Sequence, residues 1–307
     1  AVLAGLPADP GSERPRQRGR VLHPGDQPRR PDGAAAMAEP GRWRSTRWRF
    51  SAFSLQGTGH SLNQDSFHCS PGRFWGVADG VGGGAYGEVA SQMLLASMAT
   101  LTAPLPGDVN TALRQADGRI DAHIRALGRG MGAAVMACVW TLDQAHCLAA
   151  HVGDCRVLHL RWSAKGWQTL WSSPDQSYAY QGLQAPPGVP SQAPANMVGC
   201  GMSADALVQS ITVRNKERLV LCSDGFSSQL NHPKVAGLLQ HDAWPLRPEV
   251  AESWCQGARS GGSQDDITVL VVERQDQFTP LFWASMAGLL GLLGWMGTWG
   301  LWWGLLA

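Results

Sequence analysis

The chain has no C-x-x-C pair, although it holds seven cysteines, at positions 69, 138, 147, 155, 200, 222 and 255. Their scatter, and the apolar strand-like runs around four of them, exclude a zinc site and point to reduced core thiols of a cytosolic domain. No positively charged segment followed by an apolar run opens the chain, which excludes a secretory signal. There is no G-x-S-x-G and no cysteine in a phosphate-binding loop, so neither a serine nor a cysteine nucleophile is set up. Surplus positive charge is absent from the globular part as well. Residues 1–49 hold ten Arg and five acids, which leaves 15 basic against 19 acidic residues in the remainder. Such a body has no nucleic-acid surface.

What is present falls into three regions. Residues 1–36 are rich in Pro, Arg, Gly and Ala without apolar period, so the segment 1–46 is expected to be disordered, and Met37 is an alternative natural start. Residues 47–273 read as a folded domain and 274–280 as a short linker. Leu281–Ala307 is 27 residues dominated by Leu, Trp, Gly and Ala with no charge. As a helix it would span roughly 40 Å, more than the ~30 Å hydrocarbon core. Trp283 near one end and Trp299, Trp302 and Trp303 near the other suit the two interfaces. The expectation is one C-terminal transmembrane anchor, with the folded domain on the cytoplasmic side.

Inside the domain, helical spacing marks Glu88–Leu101 and the stretch between Pro106 and Gly128, with Asp108 as N-cap. Period-two runs at Gly132–Leu142, Cys147–Val152, Val157–Trp162 and Trp167–Trp171 predict an antiparallel meander. Residues 174–206 are irregular, and a loop of that length in a compact domain is usually functional. Five acidic sites stand out: Asp65, Asp79, Asp154, Asp224, and Asp265 or Asp266. Four of these join an apolar β run, and all neighbour Gly, Asn, Ser or another acid. In Phe74-Trp75-Gly76-Val77-Ala78-Asp79-Gly80 the apolar run ends in a carboxylate, and a glycine loop follows. Gathered at one edge, such acids would repel unless cations sat between them. All-oxygen ligation selects hard ions, Mg²⁺ or Mn²⁺. Two ions sharing a carboxylate suit in-line displacement at phosphorus.

The motifs Asn63-Gln64-Asp65-Ser66, Val77-Ala78-Asp79-Gly80-Val81-Gly82-Gly83, Gly153-Asp154-Cys155-Arg156, Cys222-Ser223-Asp224-Gly225-Phe226 and Asp265-Asp266-Ile267-Thr268-Val269 follow in that order. Together they resemble the metal-dependent protein phosphatases, the PPM or type 2C Ser/Thr family, in bacterial form. The resemblance covers residues 47–272. It implies an α+β fold, an αββα sandwich of two antiparallel sheets with helices outside and metals at one end. It implies two or three Mg²⁺ or Mn²⁺ ions. Asp79 would bridge two of them, the Gly80 carbonyl would sit on one, and Asp224 and Asp265 would hold the other. Asp65 would orient water, Asp154 would share a third ion with Asp224, and 174–206 would be the flap. Asp266 stands where the family more often has Asn. His60 stands where it commonly has a phosphate-clamping Arg, so His60 is a candidate phosphate contact, without the bidentate fork of Arg. Val81 replaces a His that some relatives carry. The implied function is hydrolysis of phosphoserine and phosphothreonine in proteins, opposing a Ser/Thr kinase. The alternative is a pseudophosphatase that binds phosphoproteins.

Overall fold

The computed structural model describes residues 44–81, 86–128, 132–201, 205–278, 283–288 and 290. In chain order the elements are β1 (Arg44–Leu55), β2 (Ser66–Ser70), β3 (Phe74–Val81), α1 (Gly87–Met98), α2 (Pro106–Ala126), β4 (Ala133–Thr141), β5 (His146–Val152), β6 (Arg156–Ser163) and β7 (Gly166–Ser172). They continue with α3 (Tyr178–Gln181), β8 (Leu207–Thr212), β9 (Glu217–Cys222), α4 (Asp224–Ser227), α5 (Pro233–His241), α6 (Val250–Ser260) and β10 (Ile267–Phe278). One five-stranded sheet runs β1-β10-β9-β6-β7, the other β2-β3-β4-β5-β8. The registered pairs are antiparallel.

Strand alternation divides the core into three layers. In β3 and β4, Trp75, Val77, Val135, Ala137 and Val139 point one way and meet Val157, Leu219, Leu221, Leu270 and Val272 of the other sheet. The opposite face of β3 and β4, with Phe74, Ala78, Met136 and Trp140, packs on Leu94 and Met98 of α1 and Leu113 and Ile120 of α2. The outer face of the other sheet, with Leu158, Val220, Val269 and Val271, takes Val235 and Leu239 of α5 and Val250 and Trp254 of α6. Fully burying each such side chain stabilises by about 1.5–3 kcal/mol, so two sheets with a helix layer on each outer face is the arrangement that hides every apolar stripe.

Several expectations need correction. The four central strands are not one meander. β4 and β5 pair in one sheet, β6 and β7 in the other, and the chain changes sheets at Gly153–Cys155. Gly153 makes that crossing at φ 82°, and a Cβ there would lie 2.1 Å from Val135 Cγ1. Asp108 is not the N-cap of α2. It is the third helical residue, and its carboxylate accepts from the Leu105 N–H at 2.8 Å. The first helix ends at Met98, short of Leu101. Strand β3 runs past Asp79 to Val81. The segments expected as disordered and as linker contribute strand at Arg44–Thr46 and as far as Phe278.

The compact unit that holds the acids spans Trp48–Arg274. Among the described residues no helix is long and apolar enough to cross a membrane. The expected span over 281–307 lies outside them except at 283–288 and 290, where the chain is helical. The glycine loop at 82–84 and the segment before Arg44 also lie outside the described residues.

Candidate metal centre

The acids converge because their strands end together. Asp79 opposes Val135 in the β3–β4 register, and Met136 opposes Val152, the residue before the Gly153-Asp154 crossing. In the other sheet Cys222 opposes both Arg156 and Val269, so Asp154, Asp224 and Asp265 all extend from one edge. Parity does the rest: Asp79 follows Trp75 and Val77 on the face turned toward the second sheet.

Glycines allow the close approaches. A Cβ on Gly80 would lie 2.5 Å from the Gly87 carbonyl carbon at the start of α1. On Gly225 it would lie 2.0 Å from the Asp266 carbonyl oxygen, so this glycine lets the end of β9 meet the 264–266 loop. Asp65 enters through an Asx turn in which Asn63 Oδ1 accepts its N–H at 3.0 Å. Ser223 Oγ donates to Asp65 Oδ2 at 2.7 Å and accepts from the Thr268 N–H at 2.9 Å, tying the two sheets together.

The electrostatics are those of an uncompensated cluster. Asp79 and Asp224 each perturb the other's carboxyl directly, a pairing that two carboxylates tolerate only with a proton or a cation between them. Burial, and then the charges of Asp65, Asp224, Asp154 and Asp265, push Asp79 well above the ordinary carboxylate range. Burial is also the main cause for Asp65, raised to about 7, for Asp154, raised to about 8, and for Asp224, raised to about 6. Oδ1 of Asp65 and Oδ1 of Asp224 are buried without a hydrogen-bond partner. A hard divalent ion satisfies both the orphaned oxygens and the shared repulsion, so these residues fit one.

Asp265 and Asp266 divide sharply. Asp265 is half exposed, whereas Asp266 is buried and accepts from Gly57 N at 2.6 Å and Gln64 N at 2.8 Å, with His60 Nδ1 at 3.0 Å. Asp266 therefore spends its oxygens on the 57–64 loop. His60 presents its other nitrogen, Nε2, 3.8 Å from Asp265 Oδ1. The hydrogen bond that His60 donates to Asp266, and the charges of Asp266, Asp265 and Asp65, raise the His60 pKa despite some desolvation.

The "Protein phosphatase 2C" family model matches residues 57–265. The chain belongs to that family. The serine/threonine protein phosphatase PstP of Mycobacterium tuberculosis is 28% identical over 260 residues, 78% of this chain. The chain spans about half (48%) of that relative's length. A serine/threonine phosphatase of Listeria monocytogenes is 26% identical over 216 residues, covering 64% of this chain and 83% of that protein. The crystal structure of the PstP catalytic domain, in complex with two manganese ions, superposes with TM-score 0.60 at 24% identity, covering 75% of this chain and all of that one. That likeness gives the fold, the two-sheet sandwich described above.

Within this phosphatase 2C frame, sequence reasoning missed three positioning residues. Ser223 sits inside a quoted motif, and its signal was a lone hydroxyl between a buried strand and Asp224. Gln176 clasps the irregular segment to the crossing. Its Oε1 accepts from Gly153 N at 2.6 Å, and its own N–H donates to Gly153 O at 3.1 Å. Arg156 is largely buried, 3.7 Å from Asp175, and its charge partly offsets the repulsion that Asp154 feels.

Proposed function

We propose that the chain is a metal-dependent protein phosphatase that hydrolyses phosphoserine and phosphothreonine by direct attack of water, without a covalent enzyme intermediate. The observation that carries this reading is the convergence of Asp79, Asp154 and Asp224, partly or fully buried carboxyls that act on one another, with Oδ1 of Asp65 and Oδ1 of Asp224 left without a hydrogen-bond partner. In this reading two Mg²⁺ or Mn²⁺ ions occupy the cluster. Asp79 and the Gly80 carbonyl would hold one, Asp79 with Asp224 and Asp265 the other, and Asp154 with Asp224 a weaker third. Bound divalent ions supply charge for the phosphate and lower the pKa of water at the centre toward neutrality.

The chain's own residues supply the alignment. Asp65, held at one oxygen by Ser223, has the other oxygen free to accept a hydrogen bond from the attacking water. The 174–206 segment, clasped by Gln176, borders the site as a flap. A phosphate contact from His60 would have to use Nε2, because Nδ1 is committed to Asp266. The substrates are phosphorylated proteins of a cognate Ser/Thr kinase. The domain limits are 47–273, and the uncharged run Leu281–Ala307 supports a C-terminal membrane tether with the domain on the cytoplasmic face.

A Mn²⁺-dependent assay on a phosphothreonine peptide tests the chemistry. The parent should turn over, and Asp224→Asn should lose nearly all rate. A parent that binds the peptide without turnover would make the chain a phosphoprotein-binding module instead. For the tether, the full chain should sediment with membranes and a chain ending at Thr279 should not. Equal distribution of the two would refute it.

A further inference from the structure

The loop 56–64 is stitched to 264–266 along its length. Thr58 N donates to Gln264 O at 2.9 Å, and Gln56 Nε2 donates to the His60 carbonyl at 2.6 Å. A Cβ on Gly57 would come within 2.9 Å of Gln264 O and 3.0 Å of His60 Nδ1, so only glycine leaves room for the imidazole where it sits. The ring is thus built into place although it faces solvent on one side.

Its chemistry follows from what Asp266 can do. An ionised carboxylate only accepts hydrogen bonds, so the proton of the 3.0 Å contact belongs to His60 Nδ1. In the neutral ring Nε2 then carries a lone pair. That nitrogen stands 3.8 Å from Asp265 Oδ1, too far for a hydrogen bond. Two donor atoms each about 2.1 Å from a shared ion lie roughly 3 to 4 Å apart, and this pair has that spacing. Asp266 comes within 4.8 Å of both ligating atoms, but its oxygens are already taken by Gly57, Gln64 and His60.

We propose that His60 Nε2 is a ligand of the divalent ion held by Asp265, with Asp266 as the positioning residue that fixes the ring and its tautomer. This rests on the reading that Asp265 binds an ion. A carboxylate behind a ligating histidine is a recurrent outer-shell arrangement, and its removal costs 10–100-fold in metal affinity in typical cases. Here a nitrogen joins an otherwise all-oxygen donor set. Imidazole favours first-row transition ions over Mg²⁺, so the site gains preference for Mn²⁺. Nε2 cannot ligate and donate to phosphate at once, so His60 leaves phosphate binding to other groups.

The test is Mn²⁺ binding to the full chain, without phosphate, read by calorimetry and by electron spin echo for nitrogen coupled to the ion. The parent should show a histidine ¹⁴N coupling. His60→Ala should abolish the coupling and weaken one Mn²⁺ site about tenfold or more, with a smaller loss for Mg²⁺. Asp266→Asn should weaken the same site, by about tenfold. Bound Mn²⁺ without nitrogen coupling, or unchanged affinity in His60→Ala accompanied by a raised KM for the phosphopeptide, overturns the inference and returns His60 to the phosphate. A parent that binds no Mn²⁺ overturns the phosphatase reading as well.

Discussion

Strand β9 opens on one acid, Glu217, and leads two residues past its end to another, Asp224, and the two ends are opposites. At its start Glu217 lies against His159 Nε2 at 2.9 Å and accepts from Arg161 Nε at 2.8 Å and the Arg214 N–H at 2.8 Å. Beside it Arg218, fully buried, meets Asp242 and donates to Glu273 at 2.7 Å, its guanidinium 4.2 Å from the centroid of the Trp167 ring. At the other end Asp224 faces Asp79, Asp154 and Asp265, and the charge of Arg156 offsets part of the repulsion at Asp154. Burial pushes Glu217, Asp224, Asp65 and Asp154 up alike. Protein donors overcome it at Glu217, taking the group down to about 2, whereas Asp224, Asp65 and Asp154 stay raised. The same residue class, about 20 Å apart along one strand, is thus neutralised from within at one end and left for an external cation at the other.

The sharpest way to break this contrast is Asp79→Asn. It should cut Mn²⁺-dependent turnover by about a thousandfold, a loss of roughly 4 kcal/mol of transition-state stabilisation, yet raise the melting temperature of the metal-free protein by relieving repulsion. A lowered metal-free melting temperature would show that the cluster is not frustrated. At the paired end the sign reverses. Arg218→Met strands Asp242 and Glu273 and should cost about 3–5 kcal/mol in denaturant unfolding, leaving Mn²⁺ affinity alone. A cost under about 1 kcal/mol would show that the ion network is dispensable.

Acidity separates the ends more gently. Asp65, Asp154 and Asp224 hold protons in the folded metal-free chain that the unfolded chain has released above pH ~4. The folded state then binds more protons, so metal-free stability should fall as pH rises from ~4 to ~8. Mn²⁺ replaces those protons, and the melting-temperature gain on adding it should be larger at pH 8 than at pH 5.5. Glu217 acts oppositely: its contribution is present above pH ~4.3 and is lost as pH falls toward about 2. Glu217→Gln should therefore flatten only the acid limb of the stability profile, and an unchanged limb would remove Glu217 from the account.

The two ends also differed in how far the sequence exposed them. Asp79, Asp154 and Asp224 were visible because a carboxylate beside an apolar run and a glycine is locally odd, and Asp65 because it sits in Asn63-Gln64-Asp65-Ser66. Glu217 and Arg218 were not, since their partners Asp242, Glu273 and His159 lie 24 to 58 residues away. The sandwich came from the family resemblance, and the strand runs and helical spacing agreed with it. The change of sheet at Gly153 did not, because a period-two strand reads alike in either sheet and Gly-Asp serves equally as bulge or turn. At His60 the residue type was legible, but which nitrogen faces the acids depends on Asp266, 206 residues on.

The irregular segment 174–206 has one more property, set at its stem. Ala195 N donates to Gln176 O at 2.8 Å and Tyr178 N to Ala193 O at 3.1 Å, so the excursion leaves and returns through one pinched neck. Residues between Ala179 and Pro190 can lengthen or be replaced for little more than the slow logarithmic cost of a larger closed loop. A segment pinned in this way can be exchanged while Asp79, Asp154 and Asp224 stay where the strands put them.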